Sequence, residues 1–397
     1  SPSVSCVMKP LCSSLRSVAL TALVLLMAYG SGFACQSQTR PNAVLAPESP
    51  VVAEGEAYHW ALPEGFPVPS IPKDNPITAA KVDLGRHLFY DKRLSVDGSL
   101  SCASCHEQKR AFSDGKVVPV GVHGDQLTRN SMALFNLAYT PILTWANPQL
   151  RHLEVQMLIP LFGEDPPELG RVGQETELLA TLAALPLYRQ KFKAAYPEVD
   201  QQRGALFTLK HLTQALASFE RSLISADSPY DRYIYAEDDG AISEAARRGE
   251  ALFFSERLEC FHCHGGFNFS DSTQHAGSTF MEFNFHNTGL YAEYPATGQG
   301  LKDVTGRPED SGKFKAPSLR NIAVTAPYMH DGSVKDLDAV IDHYAAGGRA
   351  DHPNKSGFVK GFELSASERA DLLAFLESLT DETFLTNPAY SDPFVRY

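Results

Sequence analysis

Apolar positions along this chain recur mainly at three- and four-residue spacing, and few stretches alternate in the two-residue manner of a half-buried strand. Two helical patterns frame the first half: Lys81–Tyr90 around Leu84 and Leu88, and Leu209–Ile224 with Leu212, Leu216, Phe219 and Leu223 on one stripe. Two more frame the second half. Glu244–Phe254 follows Ser243 as N-cap, and Ser365–Leu379 opens with the capping box Ser365-x-x-Glu368. A further helix is predicted over Ser333–Gly348, with Ser333 as cap and Gly347-Gly348 as stop. It places Leu337, Val340, Ile341 and Tyr344 on one face, and turns His343 about 100° away from Tyr344. The pattern predicts an all-α fold.

The helical patterns are also repeated. Gly85-Arg-His-Leu-Phe89 in the first half matches Gly249-Glu-Ala-Leu-Phe253 in the second, and Phe112-Ser-Asp114 matches Phe269-Ser-Asp271. A glycine on a helix face lets a second backbone approach closely, with the phenylalanine filling the space beside it. Between the matched pieces stand Cys102-Ala-Ser-Cys105-His106 and Cys260-Phe-His-Cys263-His264. Such a run suits covalent c-type haem attachment: two thiols become thioethers on one porphyrin edge and the next histidine ligates the iron. A zinc site of two Cys-x-x-Cys pairs is the rival, but those pairs usually lie about 15–20 residues apart. Here more than a hundred residues intervene, and zinc gives no reason for the histidine after each second cysteine. Helix, haem turn, loops and helix make a cytochrome c module. The expected organisation is two cytochrome c-like haem domains in tandem, residues 58–232 and 233–397, joined near 227–240, with the proline-rich stretch 60–77 extended along the surface or in a crevice.

Charge and cysteine usage narrow the setting. A net charge of −12 argues against nucleic acid as a partner, since phosphate needs a basic face. Of the seven cysteines, Cys6, Cys12 and Cys35 lie outside the haem motifs. Ser17–Tyr29 is an apolar run preceded by Lys9 and Arg16 and followed by small residues, which reads as a secretory signal ending at Ala34. Residues 35–57, rich in Pro, Ala and Ser, read as a flexible tether. Cleavage there leaves Cys35 at a new N-terminus. A lipid anchor on Cys35 and ordinary cleavage both fit, because Gly32 stands where a lipobox usually has leucine. A periplasmic protein is expected.

The runs LGRHLFYDKRLSVDGSLSCASCH, RNSMALFNLAYTP and FKAPSLRNIAVTAPYMHDGS resemble the bacterial di-haem cytochrome c peroxidases and their MauG relatives, over roughly residues 75–385. The resemblance implies two c-type haems of unequal role. In MauG-type members a tyrosine replaces methionine on the second iron, seventeen residues past the proline of the TAP segment. From Pro327 that count reaches Tyr344, with His343 as the fallback. It further implies Trp145 between the haems and a pocket over the first haem built by Gln156, Pro160 and a glutamate. That glutamate is Glu168 if a two-residue insertion is allowed, and Glu164 otherwise. A calcium ion between the haems would use Asn130 and the backbone carbonyls of Thr325 and Pro327, a set of oxygens that suits calcium. His123 stands about where some peroxidases carry a loop histidine on the resting first iron; a solvated loop histidine is the other reading.

Activity follows from the same resemblance. Methionine on iron favours electron entry from a donor cytochrome, whereas an anionic phenolate favours storage of an oxidising equivalent. The implied function is a peroxidase that reacts hydrogen peroxide at the His106 haem, with Glu168 moving a proton and Trp145 passing one oxidising equivalent to the His264/Tyr344 haem. The pair, sharing a high-valent state, then oxidises residues, tryptophan above all, on an exported partner protein. WANPQL and LFGEDPPELG resemble the MbnH-like branch, while Leu258 replaces a tryptophan that MauG uses for outward hopping, so the exit route is open. The alternatives are a cytochrome c peroxidase fed by a small cytochrome, and a plain di-haem electron carrier.

Overall fold

The computed structural model describes residues 58–199 and 204–395. The expected secretory signal, Cys35 and the expected tether lie outside the described residues. Among the described residues there is no named strand, only isolated β-bridges between helices and loops.

Two helix pairs organise the chain, one per haem motif: Ala79–Tyr90 packs on Leu209–Ser222, and Glu244–Phe253 packs on Ala366–Glu377. The matched glycines set both pairs. A Cβ on Gly85 would lie 2.0 Å from the Ala215 carbonyl oxygen, and one on Gly249 would lie 1.9 Å from that of Asp371. Only a hydrogen at each position allows the backbones to meet, and Phe89 and Phe253 fill the space beside the crossings.

Helix ends follow their caps. Thr78 caps Ala79–Tyr90, two residues before the expected start, because its hydroxyl accepts from the Lys81 N–H. Ser243 and Ser365 cap their helices as expected. The helix expected from Ser333 instead begins at Leu337, capped by Asp336. Ser333 is held in the preceding turn by the Asp331 carboxylate, and Val334 pairs with Tyr328.

Each pair buries its own apolar cluster. Leu84, Leu88, Phe89, Phe112, Leu212, Leu216 and Phe219 make the first; Phe253, Leu258, Phe269, Ile341, Leu372 and Phe375 make the second. Each of these large side chains contributes about 1.5–3 kcal/mol on burial. The chain crosses between the clusters at both ends. Phe384 and Leu385, near the C-terminus, pack into the first cluster, and Phe66 of the proline-rich segment meets Tyr139, Tyr235 and Phe267. The junction 227–240 contains the helix Pro229–Tyr235, whose Asp231 pairs with the buried Arg320 at 2.7 Å. Arg320 also donates to the Phe267 carbonyl, three residues past the second haem motif.

Candidate functional site

Each Cys-x-x-Cys-His run forms one tight turn. Cys102–Ser104 is a 3-10 turn closed by reciprocal bonds between Ser101 and Ser104, and Phe261–His264 is a single helical turn. Cys102 packs against the first cluster and Cys260 against the second, and none of the four cysteines is in a disulfide. One zinc cannot gather them. The three-residue grouping close enough to share a metal among the described residues is Glu256, Glu259 and His262, which contains no cysteine.

The histidines meet a stricter requirement. His106 Nδ1 donates to the Phe112 carbonyl at 2.7 Å, and His264 Nδ1 donates to the carbonyls of Phe269 and Pro317 at 3.2 and 3.1 Å. A carbonyl only accepts, so the hydrogen sits on Nδ1 and the lone pair on Nε2, the tautomer an iron ligand needs. Phe112 and Phe269 reach this position because both adopt left-handed backbone angles, φ 62° and 49°. These are the two phenylalanines of the repeated Phe-Ser-Asp run. The repetition was visible in the sequence; that a carbonyl, not a side chain, was the functional group was not. Paired thiols and a correctly oriented imidazole at each motif fit a c-type haem.

A cavity of about 260 Å³ opens beside the second motif. Cys260, Cys263, His264 and Tyr344 line it, as do Leu337, Val340 and Ile341 from the helix that carries Tyr344. The shared stripe therefore faces the motif as its periodicity requires. Burial pushes the Tyr344 phenol above its usual range, reinforced by the thiols of Cys263 and Cys260; a ferric iron would reverse that by favouring the phenolate. His343 does not line the cavity. It is buried on a neighbouring face of the helix, where Nε2 meets the Thr288 carbonyl at 3.0 Å. Two methionines border the cavity elsewhere: Met329 sits in the cluster that contains Trp145, and the Met132 backbone lies beside His106.

The same cavity reaches Trp145, Asn130, Thr325 and Pro327. Trp145 Nε1 donates to the Asn130 carbonyl at 3.0 Å. The Asn130 amide nitrogen is engaged by the carbonyls of Lys116 and Val117, at 2.9 and 3.2 Å, which leaves its Oδ1 as the oxygen to offer a cation.

Beside the first motif, the segment around Glu168 is threaded through its neighbours. Val122 N–H bonds to the Glu168 carbonyl, Leu169 N–H to Pro160, and Val96 N–H to Leu169, each at 2.9 Å. Gly121 allows this approach, since a Cβ there would lie 2.1 Å from the Pro167 carbonyl oxygen. Burial raises the Glu168 carboxyl, and its charge acts on the thiols of Cys102 and Cys105. Glu164 is exposed. Glu168, then, is the glutamate on the haem-motif side. Gln156 is half-buried at the end of the helix Leu153–Gln156, and Pro160 follows within Leu158–Phe162. His123 is exposed on the outer side, its Nε2 3.4 Å from where a Gly170 Cβ would stand.

Two further residues escaped sequence reasoning. Asn136 and Asn321 are fully buried, both left-handed, and their N–H groups bond to Leu223 and Leu379 at the ends of the two long helices. The signal was the pair FNLAYTP and RNIAVTAP, a third repeat.

Comparison with known proteins accords with this geometry. The family model described as di-haem cytochrome c peroxidase matches residues 79–239. The methylamine utilization protein MauG of Methylorubrum extorquens is 37% identical over 320 residues, covering 81% of this chain and 83% of that protein. The cytochrome-c peroxidase IdrP1 of Denitromonas iodatirespirans is 34% identical over 86% of this chain and 90% of its own length. A crystal structure described as a MauG-like protein associated with microbial copper homeostasis superposes with TM-score 0.82 at 46% identity, over 85% of this chain and all of that one.

Proposed function

The chain belongs to the family of di-haem cytochrome c peroxidases and MauG proteins, hydrogen-peroxide-dependent oxidoreductases with two c-type haems, and we propose that it works in the MauG manner, oxidising residues of an exported partner protein, tryptophan above all. The observation that carries this reading is the position of Tyr344, on the cavity wall with Cys260, Cys263 and His264. The relative that is 46% identical and described as MauG-like supports the same reading.

The two haems supply peroxide reduction and the holding of oxidising equivalents. Around the first, Cys102 and Cys105 bind covalently and His106 presents Nε2. Glu168, its carboxyl raised by burial, accepts a proton from peroxide and returns it to the departing oxygen as the O–O bond breaks. Pro160 fixes the Glu168 segment by accepting the Leu169 N–H, and Gln156, at the end of the helix just before Pro160, would supply a further polar group to the peroxide side. Around the second, Cys260, Cys263 and His264 would hold the haem, and Tyr344 would ligate its iron as phenolate. Trp145, held by the Asn130 carbonyl, would carry an oxidising equivalent between the haems. Asn130, Thr325 and Pro327 would hold a calcium ion that stiffens this segment. Proton transfer by a positioned carboxyl contributes about 10²–10⁴ in rate.

A cytochrome-fed peroxidase is the second reading, favoured by the IdrP1 relative. Stopped-flow spectra after peroxide, with no donor present, separate the two. A species two oxidation levels above resting that persists in the wild type and is lost in Tyr344→Phe supports the MauG manner. Immediate decay in both proteins, with rapid turnover of reduced cytochrome c unaffected by Tyr344→Met, supports the other. We place the protein in the periplasm; no helix among the described residues is long and apolar enough to cross a membrane.

A further inference from the structure

Lys315 is a buried lysine with no carboxylate partner among the described residues. It is 5% exposed and lines the cavity that also holds His264, Tyr344 and Trp145. Its Nζ donates to the Ile142 carbonyl at 2.7 Å, which uses one of three donors. Burial holds its ammonium down to about 7, and no carboxylate offsets the loss of water. The other strong cations of this wall are taken. Arg320 is committed to Asp231 and to the Phe267 carbonyl. His286 is raised to about 10, against the burial that lowers it, by Asp271 at 2.6 Å and by Cys263.

Buried charges in proteins are paired or neutralised, because a lone ammonium in an apolar setting costs several kcal/mol. Lys315 also lies where a pairing would matter. Its own N–H donates to the Trp145 carbonyl at 2.8 Å, so backbone and side chain together clamp the segment 142–145 that presents the tryptophan. A structural clamp needs a donor at this place; it does not need a charge. A c-type haem held by Cys260, Cys263 and His264, which line this cavity, would carry two carboxylates of its own.

We propose that Lys315 is the counter-cation of a propionate of the haem bound by Cys260, Cys263 and His264, and that this ion pair ties the edge of that haem to the Trp145 segment. The proposal rests on the second haem being held here, which a haem count tests by itself. As a positioning residue Lys315 acts on the energy of the iron, not on peroxide. A positive charge at the propionate favours the ferrous form, so its removal shifts the haem toward ferric.

The test is spectroelectrochemical titration of the holoprotein and of Lys315→Gln, which keeps a donor for Ile142 but no charge, with Lys315→Arg as the charged control. In Lys315→Gln the ferric/ferrous equilibrium of the His264 haem moves at least tenfold toward ferric, about 59 mV for one electron. The His106 haem stays within about threefold of wild type, well under that 59 mV step, and Lys315→Arg restores the wild-type value. A folded Lys315→Gln that retains only the His106 haem also supports the pairing. Two haems at wild-type potentials in Lys315→Gln would overturn it. The wild-type protein gives an answer that needs no variant: with haem isotope-labelled at the propionates, redox-difference infrared spectra show labelled carboxylate bands alone, and two labelled protonated-carboxyl bands, one for each propionate of the His264 haem, would refute it. Neither measurement reads peroxide turnover, so failure here is distinct from failure of the proposed activity.

Discussion

His343 and Tyr344 are neighbours in sequence and serve different faces of one helix, His343 toward the Thr288 carbonyl at 3.0 Å and Tyr344 toward the cavity that contains His264. Replacing them should therefore separate structure from chemistry. Tyr344→Phe abolishes the absorbance of a tyrosinate-bound low-spin haem and leaves thermal stability nearly unchanged. His343→Ala keeps the spectrum and costs about 1–3 kcal/mol, the loss of a buried hydrogen bond. Visible spectra and denaturant melts check both outcomes; a His343→Ala protein with an altered second-haem spectrum would mean the ligand had been misassigned.

Gly85 and Gly249 each stand about 2 Å, from an added Cβ, against a carbonyl of the partner helix. Overpacking of this kind costs about 1–3 kcal/mol or more. Gly85→Ala and Gly249→Ala should each lower the unfolding midpoint, and each should perturb mainly the haem of its own helix pair. Near-native melting of either variant would show that the helices can part without loss.

Glu168 and Glu164 offer a matched control. Burial raises the Glu168 carboxyl, whose charge acts on the thiols of the first motif, whereas Glu164 is exposed. Glu168→Gln should slow the reaction with peroxide by about a hundredfold or more, and Glu164→Gln should leave it within twofold, that is, under about 0.4 kcal/mol of barrier. Single-turnover rates at fixed peroxide decide between them.

Glu220 links stability to pH. Burial beside Cys102 raises its carboxyl from 4.5 to about 8, against a lowering by Arg221. Between these values the folded protein keeps a proton that the unfolded chain has released. Stability from this group is complete below about pH 4.5 and lost as pH rises through about 8, with a slope of up to about 1.4 kcal/mol per pH unit. Glu220→Gln should flatten that slope. Urea melts across the window measure it, and an unchanged slope would assign the effect to another group.

The Asn130 carbonyl holds Trp145, and in the proposed reading its side-chain oxygen would also bind calcium. Removing calcium with a chelator should alter the spectrum of the second haem and slow transfer between the haems. Calcium should restore both and magnesium should not, because it is smaller and demands octahedral geometry. Isothermal titration on Asn130→Ala should show weaker calcium binding.

The sequence by itself determined what depends on local chemistry and period. The two Cys-x-x-Cys-His turns, the helix pairs and the matched glycines need only neighbouring residues and helical phase. That phase also assigned Tyr344 and His343 to different faces. Tertiary structure decided whatever depends on distant segments meeting. The insertion near Glu168 leaves two glutamates open in the sequence; the fold buries Glu168, with its backbone tied to Val122, and leaves Glu164 exposed. The carbonyls of Phe112 and Phe269 became functional only once the chain returned to its histidines. Nothing in the sequence marks Lys315 as buried, because the burial of a charge is a property of what packs around it, and no window of sequence contains that.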